Sequence, residues 1–469
     1  MPERSVGEAF DLNIERVLEH WPVAYAVREF IANALDEHLL SGTTAPHITR
    51  LGEACWAIDD FGRGLRYEHL TQRENPEKLD HAAVIGQFGI GLKDALAVCD
   101  RRGVAVRILS PHGDITSARL PKAGFPDVVT LHAVVAPASE PSRTGTRVEL
   151  SGVSAEDIAA AKSFFLRYSA DVLLESTQYG DVYAKAAPEA AGRIYVKGLL
   201  VAEEPNFLFS YNVTKLNASL RRALNRERTN VGRSAYSDRV KDMLQECRAP
   251  EVARALADDL GAFAGGRMHD ELSWKDVAVH ACRVLHAAED VIFVTPLQVG
   301  MVAVQYALDD GYRMVIVPED IARKLHDTDD LDGNPILDLD RYQRQWNESF
   351  TFSFVDPEQL NANERATYAL VDQLADLAGL KVPSSRVKEV KISETMRLNE
   401  RGDQVLGLWD AKARHIVIRR DQLASVASFA GTLLHEFVHA ATRTVDGTLA
   451  FEDALTTRLG EVARGALSR

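Results

Sequence analysis

Cysteine is scarce in this chain. Four residues, Cys55, Cys99, Cys247 and Cys282, are scattered over 469 positions and form no CxxC pair. A disulfide scaffold is therefore not expected, and a reducing, cytoplasmic setting is. Long apolar runs are missing too. No uninterrupted stretch reaches the length of a membrane span, so no membrane partner is expected. The opening segment MPERSVGEAF carries acidic residues and no apolar core, which is unlike a secretory signal. Internal repeats and low-complexity segments are also absent. Positive charge is in deficit: the net charge of −14 argues against a protein that coats nucleic acid. A local basic stretch, Arg221 to Arg233, runs against that balance.

Hydrophobic residues make up 46% and charged residues 26%, the proportions of a globular protein. The length is too great for one core, so several domains are expected. Residues 8 to 40 read as helices, because Leu18, Val23, Ala26, Val27, Phe30, Ile31, Ala34 and Leu35 recur at helical spacing. ACWAIDD, GVAVRILS, DVVTLHAV and TRVEL read as strands, which together with the helices predict an α/β sandwich closing near Ser151. Strands through GRIYVKGLLVAE and NFLFSYNV follow, then a helix near Ser237 to Cys247. DVIFVTP, LQVGMVAVQYALDDG and RMVIVPED read as strand, helix, strand. A strand at RHIVIRR and a helix through SFAGTLLHEFVHAATRT come last. The expected architecture is α/β and multidomain, with parts at 1–152, 153–265, 266–340 (a small α/β spacer) and 341–469 (mainly helical).

Four segments carry the first chemical signal. REFIANALDE places Glu29, Asn33 and Asp36 at i, i+4 and i+7, on one helical face. A carboxylate and an amide one turn apart can polarise a water and ligate phosphate-bound Mg²⁺. In IDDFGRGL, Asp60 stands at a strand end, where it can accept a hydrogen bond from an adenine amino group; Gly62 and Gly64 permit a tight turn. In IGQFGIGLKDAL, Gly86, Gly89 and Gly91 open a helix whose exposed N–H groups suit phosphates, and Lys93 adds charge just beyond. TGTRVEL completes the set with Thr146.

In this order the segments resemble the Bergerat-fold (GHKL) ATPases, a group that includes the ninety-kilodalton heat-shock chaperone, type II topoisomerases, MutL-like repair proteins and Microrchidia ATPases. The resemblance implies an ATP site. Glu29 would be the general base, Asn33 the Mg²⁺ ligand, and Asp60 the adenine reader with Gly64 beside it. Gly86, Gln87, Phe88, Gly89, Ile90 and Gly91 would cap the phosphates, and Thr146 would support Asp60. Arg66 to Val84 would form a short lid. Phe61 departs from the pattern, standing where the family has Asn. Beyond Ser151, GRIYVKGLLVAE, NFLFSYNV and ALNRERTN resemble the middle, transducer-like domain of the chaperone. That implies that Arg226, or else Arg228, reaches the γ-phosphate across a domain boundary.

The second signal is HEFVH, with His435 and His439 four apart on a predicted helix and Glu436 between them. Both imidazoles then project from one side, as two zinc ligands require, and Glu436 is placed as general base for a metal-bound water. The segment resembles a zincin metallopeptidase, in which an edge strand, here expected at RHIVIRR, receives the substrate peptide. No third histidine follows. Asp446, Glu452, Asp453 and Glu461 are the acidic residues available; Glu452 is the expected third ligand and Asp453 the second choice. The combined expectation is an ATPase whose nucleotide-driven homodimer closure controls a zinc-dependent peptidase acting on a polypeptide. A chaperone-like ATPase with a structural or inactive zinc site, and a Microrchidia-like DNA clamp or antiviral defence component, remain alternatives.

Overall fold

A computed structural model describes residues 8–12, 18–70, 84–86, 91–224 and 231–467. The chain divides into two compact units, Met1–Val284 and Leu285–Arg469. The boundary falls inside the segment 266–340 that was expected to be a separate spacer.

The first unit opens with an antiparallel sheet of seven strands: β1 (Glu8–Asp11), β2 (His47–Gly52), β3 (Cys55–Asp59), β4 (Ala105–Ser110), β5 (Gly113–Lys122), β6 (Phe125–Ala136) and β7 (Arg147–Ser151), in the order β1-β6-β5-β4-β7-β3-β2. The strand at Glu8–Asp11 corrects the expectation of helix from residue 8. Ala9 and Phe10 pair with Val134 and Ala133 of β6, and that ladder outweighs the local helical spacing. Three helices, α1 (Val23–Ser41), α2 (Gly91–Arg102) and α3 (Ala155–Ser163), pack together on this sheet. The spacing seen in the sequence explains α1: Ala26, Val27, Phe30, Ile31, Ala34 and Leu35 are all buried in one core with Leu96, Ile108 and Leu150. The α1 helix ends at Gly42 in the left-handed conformation, whose N–H closes on His38 O. A capping box between Ser154 and Asp157 starts α3.

A second sheet in the same unit contains β8 (Val172–Ser176), β9 (Gly180–Ala184), β10 (Gly192–Val196), β11 (Leu199–Glu204) and β12 (Phe209–Val213), ordered β11-β10-β12-β9-β8. Helices α4 (Ala218–Ala223), α5 (Arg233–Glu246), α6 (Pro250–Gly261) and α7 (Lys275–Ala288) follow. A buried carboxylate ties the sheet to the segment ahead of α7: Glu271 accepts hydrogen bonds from Leu208 N, Phe209 N and Tyr211 Oη.

The second unit begins with the expected strand, helix, strand. β13 (Val291–Val294) and β14 (Arg313–Ile316) pair in parallel, joined by α8 (Val302–Asp309). Next come α9 (Glu319–His326) and α10 (Leu339–Ser349). Leu337, Leu339, Tyr342 and Leu398 share a core with Ile292 and Val304, so the β-α-β element is built into its own unit and is not a free-standing spacer. The remainder is less helical than expected. β15 (Phe354–Val355), α11 (Ala362–Tyr368), α12 (Val371–Leu377), β16 (Glu389–Ser393), β17 (Gly407–Asp410) and β18 (His415–Arg419) precede α13 (Val426–Thr442) and α14 (Leu449–Leu467). The four strands form one mixed sheet ordered β15-β16-β18-β17, and β15, two residues long, is too short to show a period in the sequence. Phe429, Leu433 and Phe437 of α13 pack with Val390, Ile392, Ile416 and Ile418 of the sheet. Burying each such side chain is worth about 1.5–3 kcal/mol. Among the described residues no helix is long and apolar enough to cross a membrane.

Candidate functional site

The ATP-motif residues lie along α1 and around it. Arg28 and Glu29 are both buried, and the guanidinium donates through Nε and Nη2 to Glu29 Oε1, at 3.1 and 2.8 Å. Arg28 is itself held in a cage of rings, with its guanidinium carbon 5.0 Å from Trp21, 4.9 Å from Tyr25 and 5.3 Å from Phe164. The other carboxylate oxygen faces the start of α2, since a Cβ on Gly91 would lie 2.2 Å from Glu29 Oε2. The expected general base and the expected phosphate-binding helix start are thus neighbours. Asn33 Nδ2 donates to Glu29 O at 2.9 Å. Asp36 is buried and accepts from Ile85 N at 2.7 Å and Gly86 N at 2.8 Å, so it anchors the backbone of the glycine-rich segment to α1. Lys93 stands in the first turn of α2.

Asp60 follows β3 and is buried. Its Oδ1 accepts from Gly62 N at 3.0 Å and Thr146 N at 3.1 Å, and its own N–H donates to Thr146 O at 2.9 Å. Burial raises the Asp60 carboxyl above its ordinary value, and these donors oppose the rise. Thr146 Oγ1 accepts from Leu65 N at 3.0 Å, so one threonine braces both ends of the turn carrying Gly62 and Gly64. Gly145 makes the approach of β7 possible. Its φ is +79°, and a Cβ there would lie 2.1 Å from Asp60 O. Glu37, which the motif reading passed over, clamps the turn by accepting from Arg63 N at 2.8 Å and Arg63 Nε at 2.9 Å. Gln87, Phe88, Gly89, Ile90, Arg226 and Arg228 lie outside the described residues, as does most of the expected lid.

The second unit holds the HEFVH residues on α13. His435 Nε2 and His439 Nε2 are 3.1 Å apart, and Asp446 Oδ1 lies 3.0 Å from the first and 3.2 Å from the second. Among the described residues this is the group of three whose ligand atoms could hold a metal. Two donors on a tetrahedral zinc, each at 2.0–2.1 Å, stand about 3.3 Å apart, so the three atoms already have nearly the spacing of one tetrahedral face. The donor set of two imidazoles and a carboxylate suits the ion as well. Asp446, not the expected Glu452, is the carboxylate present. The cause is the chain's path after α13: Arg443 caps the helix at φ +60° and turns the backbone so that Asp446 comes back over the imidazoles. On α14 it is Phe451 that meets the site, 4.5 Å from the His439 ring and 4.7 Å from His435, while Glu452 is exposed. His439 Nδ1 bonds Thr444 O at 2.8 Å, which turns Nε2 toward the cluster as a lone-pair donor. Burial lowers the His435 pKa, favouring the neutral imidazole a metal requires.

Glu436 is buried beside the imidazoles. Burial, with the charge of Asp446 adding, pushes its carboxyl up to about 8 against a hydrogen bond from the Trp409 backbone. Trp409 belongs to β17, so this bond docks that strand onto the helix. At Gly407 the approach is closer still: a Cβ would lie 2.8 Å from Glu436 Oε1 and 2.7 Å from Thr432 Cγ2. β17 is the edge of its sheet, whereas β18, which contains RHIVIRR, lies inside between β16 and β17. The edge strand at the site is therefore Gly407–Asp410, which covers the end of the short apolar run VLGLW that the sequence reading passed over.

Comparison with known proteins adds the following. The chain is 36% identical over 239 residues to an uncharacterized protein of Mycoplasma pneumoniae (strain ATCC 29342 / M129 / Subtype 1), a match covering 50% of this chain and 96% of the relative. The chain belongs to that relative's family. A second uncharacterized protein of the same organism is 24% identical over 344 residues, covering 69% of this chain and 96% of its own length. The family described as the Mycoplasma pneumoniae MPN635 N-terminal domain matches residues 156–250. In this family member the matched stretch contains the five-stranded sheet and α5, and neither the ATP-motif segments nor HEFVH.

Proposed function

We propose that this protein binds and hydrolyses ATP in its first unit and carries a zinc-dependent peptidase centre in its second, with nucleotide-driven dimer closure controlling cleavage of a polypeptide. The observation that carries the peptidase half is the triangle of His435 Nε2, His439 Nε2 and Asp446 Oδ1, with edges of 3.0–3.2 Å, beside a buried Glu436 and an edge strand. A zinc ion held by His435, His439 and Asp446 would supply Lewis acidity toward a water and a peptide carbonyl. The charge of a bound ion would oppose the burial that raises the Glu436 carboxyl, and the ionised Glu436 would then accept a proton from that water and return it to the leaving amine. Strand β17 offers main-chain groups to an extended peptide. Thr444 O keeps His439 in the tautomer that donates its Nε2 lone pair.

The ATPase half is supported by the way α1 gathers its residues. Glu29 faces the start of α2, Asp36 holds Ile85 and Gly86 in place, and Asp60 is fixed by Thr146. In this reading Asn33 ligates Mg²⁺, Glu29 orients the attacking water, and Arg226 senses the γ-phosphate. Three variants test the two halves separately. Asp60→Asn is expected to lose ATP binding, Glu29→Ala to keep binding and lose hydrolysis, and Glu436→Gln to lose peptide cleavage with ATP turnover unchanged. A zinc-loaded wild type that hydrolyses ATP and cleaves no polypeptide would leave the chaperone-like reading in its place.

A further inference from the structure

A cavity of about 810 Å³ opens in the second unit, lined among others by Leu406, Glu364, Glu394, Asp403, Arg419, Arg420 and Asp421. Leu406 immediately precedes β17, whose first residue, Gly407, abuts Glu436. The cavity therefore adjoins the end of the edge strand nearest the candidate centre, within one or two residues of it at about 3.3 Å per residue.

Charge decides what the cavity favours. Its lining holds four carboxylates against two guanidiniums, a net charge of −2. Both guanidiniums are already engaged. Arg420 Nη2 meets Glu364 Oε2 at 2.9 Å and its Nη1 meets Glu394 Oε1 at 2.5 Å; Arg419 Nη2 meets Asp421 Oδ2 at 2.6 Å. Asp403 remains. Its backbone N–H is tied to Asn399 Oδ1 at 3.0 Å, which sets the loop; its exposed carboxylate feels the charge of Arg419 but is held by no hydrogen bond or salt bridge among the described residues. An anionic guest would meet excess carboxylate with no free cation in the lining to receive it. A cationic guest would meet the exposed Asp403 carboxylate, which shares Arg419 with Asp421 and is bonded to neither guanidinium.

We propose that the substrate is an extended polypeptide that adds to β17 and places a lysine or arginine side chain in this cavity, with Asp403 as the residue that selects it. The inference rests on the peptidase reading for the position of the cleaved bond. A peptide pairing antiparallel to β17 runs from Asp410 toward Leu406, so the basic side chain lies on the C-terminal side of the bond held over Glu436. Charge complementarity of this kind acts mainly on specificity, through the cost of placing like charges together.

The test uses the full-length chain with two fluorescein-labelled alanine-rich peptides, one carrying a single lysine and the other a single glutamate at the same position. Binding is measured by anisotropy in the Glu436→Gln background, so that cleavage cannot interfere, and cleavage is measured separately in the wild type. The lysine peptide is expected to bind about tenfold more tightly than the glutamate peptide, and Asp403→Lys to remove or invert that ratio. Asp403→Asn, which keeps the side chain's shape, is expected to reduce the ratio with the unfolding temperature unchanged, which separates selection from misfolding. Equal binding of the two peptides, a preference for glutamate, or a lysine preference that survives Asp403→Lys would overturn the inference. Lysine-selective binding without any cleavage would sink the peptidase reading and leave the cavity assignment standing. Cleavage with no preference would do the reverse.

Discussion

Replacing Arg28 with methionine is the sharpest stability test of the candidate nucleotide site. Arg28 is fully buried, donates twice to Glu29 Oε1 and lies against three aromatic rings. Methionine keeps much of the packing and removes the charge, leaving the buried Glu29 carboxylate without its guanidinium. Removing one partner of a buried ion pair costs about 3–5 kcal/mol. A cation held against desolvated rings contributes about 2 kcal/mol of its own, and the two losses overlap because they share one group. At two to four degrees per kcal/mol, the expected fall in Tm is about 6–20 °C by calorimetry on the nucleotide-free chain. Arg28→Met combined with Glu29→Gln removes both charges and is expected to recover at least half of the loss, giving a coupling energy of at least about 1.5 kcal/mol in a double-mutant cycle. A single Arg28→Met variant within about 1 kcal/mol of the wild type, or a cycle with no coupling, would refute the account of α1 given above.

Asp446→Ala is expected to lower bound zinc sharply in metal analysis after dialysis, whereas Glu452→Ala leaves it unchanged; the opposite result would restore Glu452 as the ligand. Gly145→Ala forces a side chain onto φ +79° and into Asp60 O, so a loss of about 2–4 kcal/mol is expected, together with weakened ATP binding by calorimetric titration. Gly407→Val is expected to push β17 off Glu436 and reduce peptide cleavage with no change in ATP turnover. The hydrogen bonds from Arg420 hold Glu364 below its ordinary value of 4.5. The stability this pair contributes is present above that value and lost as pH falls through the lowered one, and an Arg420→Met variant is expected to flatten the acid limb of a denaturation curve in that window.

Spacing alone determined much of the local chemistry. Four residues make one helical turn, so HEFVH puts two imidazoles on one side of α13, and Glu29, Asn33 and Asp36 on one face of α1, whatever surrounds them. The β-α-β element at 291–316 was legible for the same reason, since strand and helix periods differ. Contacts between distant segments were not legible. Which carboxylate joins the histidines depends on a left-handed turn at Arg443 that aims Asp446, and on Phe451 occupying the face of α14 where Glu452 was expected. The edge strand is Gly407–Asp410 because β18 is enclosed by pairing on both sides, and Glu8–Asp11 is a strand because β6 offers it a ladder. A period records how a segment faces its own neighbours along the chain; which backbone groups and side chains from elsewhere come to meet it is settled only when the whole core closes.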